Sequence, residues 1–228
     1  KKEKEVDLRI TMTTGKKEKA VIFDLDGVLM NISDWHHQAL NKALREVVNT
    51  EITKEDHDDK YKGYPLVEKV LFLMEEDVIQ EEDTEEVTRL KQQYTVEAIE
   101  EFCEIDKEKI EMIFFLKKAG YKVGCVSNSP IHTTETLLRK LGVTDLLDVV
   151  ISNEDFTNAK PDPECYLKAF AALDVEPENS IIVEDAPSGV KAAKQSGAEV
   201  LQVSDAQDVN RSLFMDEQYQ MLDKWIKD

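Results

Sequence analysis

Asp24 and Asp26 stand one residue apart where the apolar run Val21-Ile22-Phe23 ends, just before Gly27. Ionised acids at the mouth of a buried strand repel each other and lose hydration. Their placement there calls for a cation, a proton-transfer task, or both. Side chains two apart fall on one face of an extended strand, and the glycine signals that the chain is turning, so both carboxylates can face one cleft. Asp24 ends the run and would be held rigidly, which suits a nucleophile; a carboxylate attacking phosphorus gives an acyl phosphate. Asp26 would then protonate the leaving oxygen and later take a proton from water. Asp and Gly are also ordinary turn formers, so this pair alone does not decide between chemistry and a turn.

Three later segments shift that balance. Tyr121 to Val126 reads as a buried strand ending at Ser127-Asn128-Ser129, small polar groups able to donate to a phosphoryl oxygen, before a helix expected over 133–141. The same serines could equally cap that helix. Lys160 lies in Asn158-Ala159-Lys160-Pro161-Asp162-Pro163, where a solvated loop charge is the plainer reading. Ser180 to Val183 is a second short apolar strand closing on Glu184-Asp185. A hard cation with oxygen ligands explains these acids better than surface charge does.

Together, Phe23-Asp24-Leu25-Asp26-Gly27-Val28-Leu29, Ser127-Asn128-Ser129, Ala159-Lys160-Pro161-Asp162-Pro163 and Val183-Glu184-Asp185-Ala186-Pro187-Ser188-Gly189 resemble the haloacid dehalogenase-like superfamily, in its β-phosphoglucomutase-like branch. The motifs follow the family's order, and the likeness runs from about Lys19 to about Val203. It implies Asp24 as nucleophile and Mg²⁺ ligand, and Asp26 as acid/base that also offers its backbone carbonyl to the metal. It further implies Ser127 as a phosphoryl-binding hydroxyl, Lys160 as the bridge between phosphoryl group and nucleophile, and Glu184 and Asp185 completing the Mg²⁺ site directly or through water. Asn128, Ser129, His36, Lys62 and Gly63 are the expected substrate contacts; for His36 a half-buried structural role, and for Lys62 a plain turn, compete with that reading. Asp24 and a phosphate are both anionic, so they approach only if the cation and Lys160 neutralise charge.

These groups need a scaffold, and the periodicity supplies one. Residues 1–19 are charged and read as an N-terminal extension with a short strand expected over 6–12. The core is expected over 20–30 and 107–228, interrupted by a helical cap over 31–106. Trp35, Ala39, Leu40, Ala43, Leu44, Val47 and Val48 recur at helical spacing, as do Leu66, Val67, Val70, Leu71 and Met74; Val87, Leu90, Tyr94 and Ile99 suggest further helix. After Asp106, helices alternate with strands expected over 121–126, 148–151, 180–183 and 199–202. That alternation implies an α/β fold with a doubly wound, Rossmann-like parallel sheet, whose ligand site lies beyond the carboxyl ends of its strands. A last helix carrying Leu213, Phe214, Tyr219, Leu222, Trp225 and Ile226 is expected to pack on the core, with an oligomer contact as the weaker alternative.

Composition narrows the partners. The net charge is −19, and between 31 and 110 acids outnumber bases 22 to 10. A chain so acidic is a poor ligand for a nucleic-acid backbone or an anionic membrane. No apolar run is long enough to span a bilayer. Three cysteines without Cys-x-x-Cys spacing read as reduced core residues in a cytoplasmic setting.

The reaction favoured is hydrolysis of a small phosphorylated metabolite. Mutases of the branch tend to carry an arginine shortly after the cap glycine, and here Tyr64, Pro65, Leu66 and Val67 follow Gly63. A sugar-phosphate mutase is the alternative within the class. A phosphoryl-accepting signalling module is the alternative outside it, disfavoured by the long insertion and the Glu184-Asp185 pair. Oligomeric state is left open, with a monomer slightly favoured.

Overall fold

The structure is a computed structural model describing residues 18–61 and 63–215. Five strands, β1 (Lys19–Asp24), β2 (Tyr121–Val126), β3 (Val149–Ile151), β4 (Ser180–Glu184) and β5 (Glu199–Gln202), form a sheet in the order β3-β2-β1-β4-β5. Every pairing is parallel. Ala20, Val21, Ile22 and Phe23 of the central strand are wholly buried. A parallel strand covered on both faces reads as unbroken apolar sequence, and that is how this one is written.

Two apolar clusters sandwich the sheet, drawing on alternate residues of each strand. Val21, Phe23, Val123, Cys125, Ile181 and Val183 face α5 (Lys107–Lys118) and α6 (Ile131–Leu141). Ala20, Ile22, Val126 and Ile182 face α7 (Glu164–Leu173) and α8 (Pro187–Ser196). Cys103, Cys125 and Cys165 are buried free thiols.

Between β1 and α5 lie α1 (Ser33–Val48), α2 (Lys54–Asp56) running into a π-turn (His57–Tyr61), α3 (Leu66–Glu75) and α4 (Thr84–Phe102). Leu40, Leu44, Tyr61, Leu73, Val87 and Leu90 give these helices an apolar cluster of their own. The α3 stripe departs from the expected phase. Val67 and Leu71 are 69% and 50% exposed, and the buried face is Leu66, Lys69, Val70 and Leu73. The acids of this region, Glu75, Glu76, Asp77, Glu81, Glu82, Glu85 and Glu86 among them, face solvent. No helix among the described residues is long and apolar enough to cross a membrane.

Helix α6 begins at Ile131, two residues earlier than expected, directly after Pro130. Of the expected last helix, Leu213 and Phe214 fall in a short 3-10 turn, with Phe214 buried edge-on against Phe23 at 6.1 Å. Its remaining residues, and the strand expected over 6–12, lie outside the described residues.

Candidate active site

The register of the sheet brings the chemistry together. Asp24 pairs with Val126, and Phe23 with Val183, so Asp24, Ser127 and Glu184 emerge side by side at the carboxyl ends of β1, β2 and β4. The chain then turns through Gly27, whose φ is +92° and whose N–H donates to the Met30 carbonyl at 2.9 Å. A Cβ at Gly27 would lie 2.2 Å from Asp185 Oδ2, and one at Gly189 would lie 1.9 Å from Glu184 Oε1. Both glycines let backbone approach carboxylates that side chains would displace.

Lys160 is the hub. Its Nζ donates to Asp24 Oδ1 at 2.5 Å and to Glu184 Oε1 at 2.6 Å, and sits 4.8 Å from the centre of the Tyr166 ring. The Tyr166 hydroxyl donates to Glu184 Oε1 at 2.5 Å, while the backbone N–H groups of Asp185 and Ala186 donate to Glu184 Oε2 at 3.1 and 3.4 Å. Both Glu184 oxygens are therefore engaged within the protein, which suits it to holding Lys160 in place. Burial pushes the Asp24 carboxyl well above the usual carboxylate range; Lys160 opposes this, and Glu184 and Asp185 reinforce it. Burial works against the Lys160 ammonium too, yet Asp24 and Glu184 outweigh it and hold that group protonated.

The second acid is fixed differently. Asp26 Oδ1 accepts from the Ile32 N–H at 2.9 Å, and Asp26 Oδ2 lies 3.7 Å from His36 Nε2. On the far side of that ring, His36 Nδ1 lies 3.0 Å from Lys91 Nζ of α4. Burial, then the charges of Lys91, Lys69 and His57, hold the His36 imidazole well below its ordinary pKa, so it is neutral at neutral pH. The expected half-buried histidine is thus a buried one, 7% exposed, and it faces the site.

These residues line one cavity of about 250 Å³. Asp24, Asp26, Ser127, Asn128, Ser129, Lys160, Glu184 and Asp185 form its sheet side; His36, Gly63, Lys69 and Lys91 form its helical side. Ser127 Oγ accepts from the Ser129 N–H at 3.0 Å, which leaves its proton free to turn toward the cavity. Asn128 Nδ2 donates across the cavity mouth to the Gly63 carbonyl at 3.3 Å. Every expected site residue except one is placed there; Lys62 lies outside the described residues. Asn31 Oδ1 accepts from the Ser33 N–H at 3.2 Å just ahead of α1.

Sequence reasoning missed three contributors. Tyr166, between Cys165 and Ala169, looks like any core aromatic. Lys69 follows Leu66 by one helical turn, and Lys91 sits beside Leu90 on the buried face of α4. A lysine inside an apolar stripe was the available signal, and it was hidden by a stripe drawn through Val67 and Leu71.

Asp24, Glu184 and Asp185 each offer a carboxylate oxygen, all within 4.8 Å of one another. An all-oxygen, all-anionic donor set beside glycines that leave it room fits a hard divalent cation such as Mg²⁺.

A sequence model described as haloacid dehalogenase-like hydrolase matches residues 21–203. A phosphorylated carbohydrates phosphatase of Thermotoga maritima is 33% identical over 184 residues, covering 79% of this chain and 82% of that protein. Pyrophosphatase PpaX of Bacillus cereus is 28% identical over 82% of this chain and 84% of its own. Among solved structures, β-phosphoglucomutase from Clostridium difficile superposes with a TM-score of 0.75 at 23% identity, covering 92% of this chain and all of that one. At that identity the likeness shows the shared fold.

Proposed function

Because the chain belongs to the haloacid dehalogenase-like hydrolase family, we propose that it is a Mg²⁺-dependent phosphatase that hydrolyses a small phosphomonoester through an aspartyl phosphate on Asp24. The observation that carries this is the convergence of Asp24, Lys160, Glu184 and Asp185 on one side of a cavity that Asp26 also lines. The names of its relatives, phosphatases of phosphorylated carbohydrates and of pyrophosphate, support the same class.

In this reading an Asp24 oxygen attacks phosphorus, the ester P–O bond breaks, and its electron pair leaves with an oxygen that Asp26 protonates. Water, deprotonated by Asp26, then attacks the same phosphorus, breaking the bond to Asp24 and releasing inorganic phosphate. Lys160 neutralises Asp24 as the phosphoryl group approaches, and Glu184 and Tyr166 hold Lys160 where it can do so. Ser127 donates to an equatorial phosphoryl oxygen. Asp24 and Asp185 would hold Mg²⁺ directly, Glu184 through water, since both of its oxygens are already bonded. When bound, Mg²⁺ supplies charge neutralisation for the transferring group. Residues 31–106 act as the cap over a core formed by 20–30 and the chain from 107 onward, and their closure excludes water from the intermediate. A cytoplasmic metabolite is the substrate that fits.

Incubation with para-nitrophenyl phosphate and Mg²⁺ tests the proposal. Turnover that disappears in Asp24→Asn and in the presence of a chelator supports it. An inert wild type across a broad panel of phosphomonoesters overturns it.

A further inference from the structure

Lys69 and Lys91 are 5% and 6% exposed, and both line the cavity opposite the acids. Burying an ammonium group is costly unless it is paired, and breaking even with an apolar residue requires good partners. Among the described residues, Lys91 Nζ has only His36 as hydrogen-bond partner, and Lys69 Nζ has no hydrogen bond or close ion pair. Lys91 feels Lys69 as a like charge close enough to matter, and Asp26 is the carboxylate whose field reaches both. Asp58 also lines the cavity, but it is held by Lys54 at 2.5 Å. Burial pulls both ammonium groups toward their neutral forms, and a second anion beside them would hold both charged.

We infer that Lys69 and Lys91 form a cationic subsite on the helical side of the cavity, so that the preferred phosphomonoester carries a second anionic group, a carboxylate or a phosphate, on its leaving group. The subsite deepens the phosphatase reading and rests on it for the position of the first phosphoryl group. With that group at Asp24 and Lys160, the leaving group points across the cavity toward α3 and α4. A second anion there accepts hydrogen bonds from both lysines and neutralises them together. A cavity of about 250 Å³ limits such a substrate to a short carbon skeleton.

The test compares n-propyl phosphate, 3-(phosphonooxy)propanoate and propane-1,3-diol bisphosphate, which share a three-carbon chain and differ in the terminal group. One or two charge-assisted hydrogen bonds favour the doubly anionic esters by about 10- to 100-fold in kcat/KM. Whichever of the two is preferred identifies the second group as carboxylate or phosphate. Lys69→Met should collapse that ratio toward unity, and Lys69→Arg should retain most of it. Binding of the same three compounds to Asp24→Asn protein with Mg²⁺, measured by calorimetry, reads the subsite without turnover. Equal kcat/KM and equal affinity for all three esters overturn the inference while leaving the phosphatase reading intact, as does a preference that Lys69→Met leaves whole. Tighter binding of the doubly anionic compounds with no turnover of any keeps the subsite and removes the phosphatase reading.

Discussion

Replacing Lys160 by methionine takes away the cation that bridges Asp24 and Glu184 and leaves two buried carboxylates facing each other, with Asp185 beside them. Lys160 is 6% exposed, so water replaces little of what is lost. Removing one partner of a buried ion pair costs about 3–5 kcal/mol, and this ammonium serves two carboxylates. In the presence of a chelator, urea unfolding should therefore show Lys160→Met less stable than wild type by about that amount. The deficit has a pH signature. Without Lys160 the folded-state pKa of Asp24 rises further above its unfolded value, so the folded state binds more protons and the variant loses stability as pH climbs from the unfolded carboxylate value through the folded one. The gap to wild type is then widest near pH 8 and narrowest near pH 4. Mg²⁺ at about a hundred times its dissociation constant returns about 2.7 kcal/mol, and returns more to the variant, where no ammonium competes for the same oxygens. A variant as stable as wild type in chelator, or one whose deficit neither pH nor Mg²⁺ changes, would refute this account of the charge balance.

Other consequences are open to measurement. Asp26→Asn should slow turnover of an alkyl phosphate by about 10²–10⁴-fold, with a smaller effect on phosphoryl transfer from para-nitrophenyl phosphate, whose leaving group needs no proton; rapid-quench kinetics separate the two steps. His57 is 1% exposed, and burial pushes its pKa down to about 4. The unfolded chain therefore binds the extra proton between about pH 6.5 and pH 4, and stability falls with pH across that window. His57→Gln should lose about 3 kcal/mol less than wild type between pH 7 and pH 4, at about 1.4 kcal/mol per pKa unit; parallel losses by denaturant unfolding would contradict the assignment. Gly27→Ala places a methyl on the Asp185 carboxylate and should weaken Mg²⁺ binding by calorimetry; an unchanged affinity would show that Asp185 yields freely.

The parts of this protein that can be read from its sequence are those where one physical requirement dominates. Strands buried on both faces must be apolar throughout, so β1, β2 and β4 are visible as runs, and acids that terminate such runs stand out because burial penalises them. Asp24, Glu184 and Asp185 were legible for that reason. Lys160 was not distinctive locally, since a lysine before a proline is an ordinary loop; its place among the other motifs carried it. The helical side was harder. Val67 and Leu71 are apolar yet exposed, so the apolar count fits two helix phases on α3 equally well, and only the fold chooses the phase that turns Lys69 inward. Helix α6 starts two residues ahead of the expected position, directly after Pro130, whose fixed φ suits the start of a helix.

The most direct measurement is of Asp24 itself. Protein mixed with substrate and Mg²⁺, quenched in acid within milliseconds and digested, should yield the peptide containing Asp24 heavier by one phosphoryl group, with the fragment masses assigning it to that carboxylate. The same label should vanish in Asp24→Asn and accumulate in Asp26→Asn. A phosphoryl group found on another residue, or product formed at full rate with no labelled peptide at any quench time, would contradict the account.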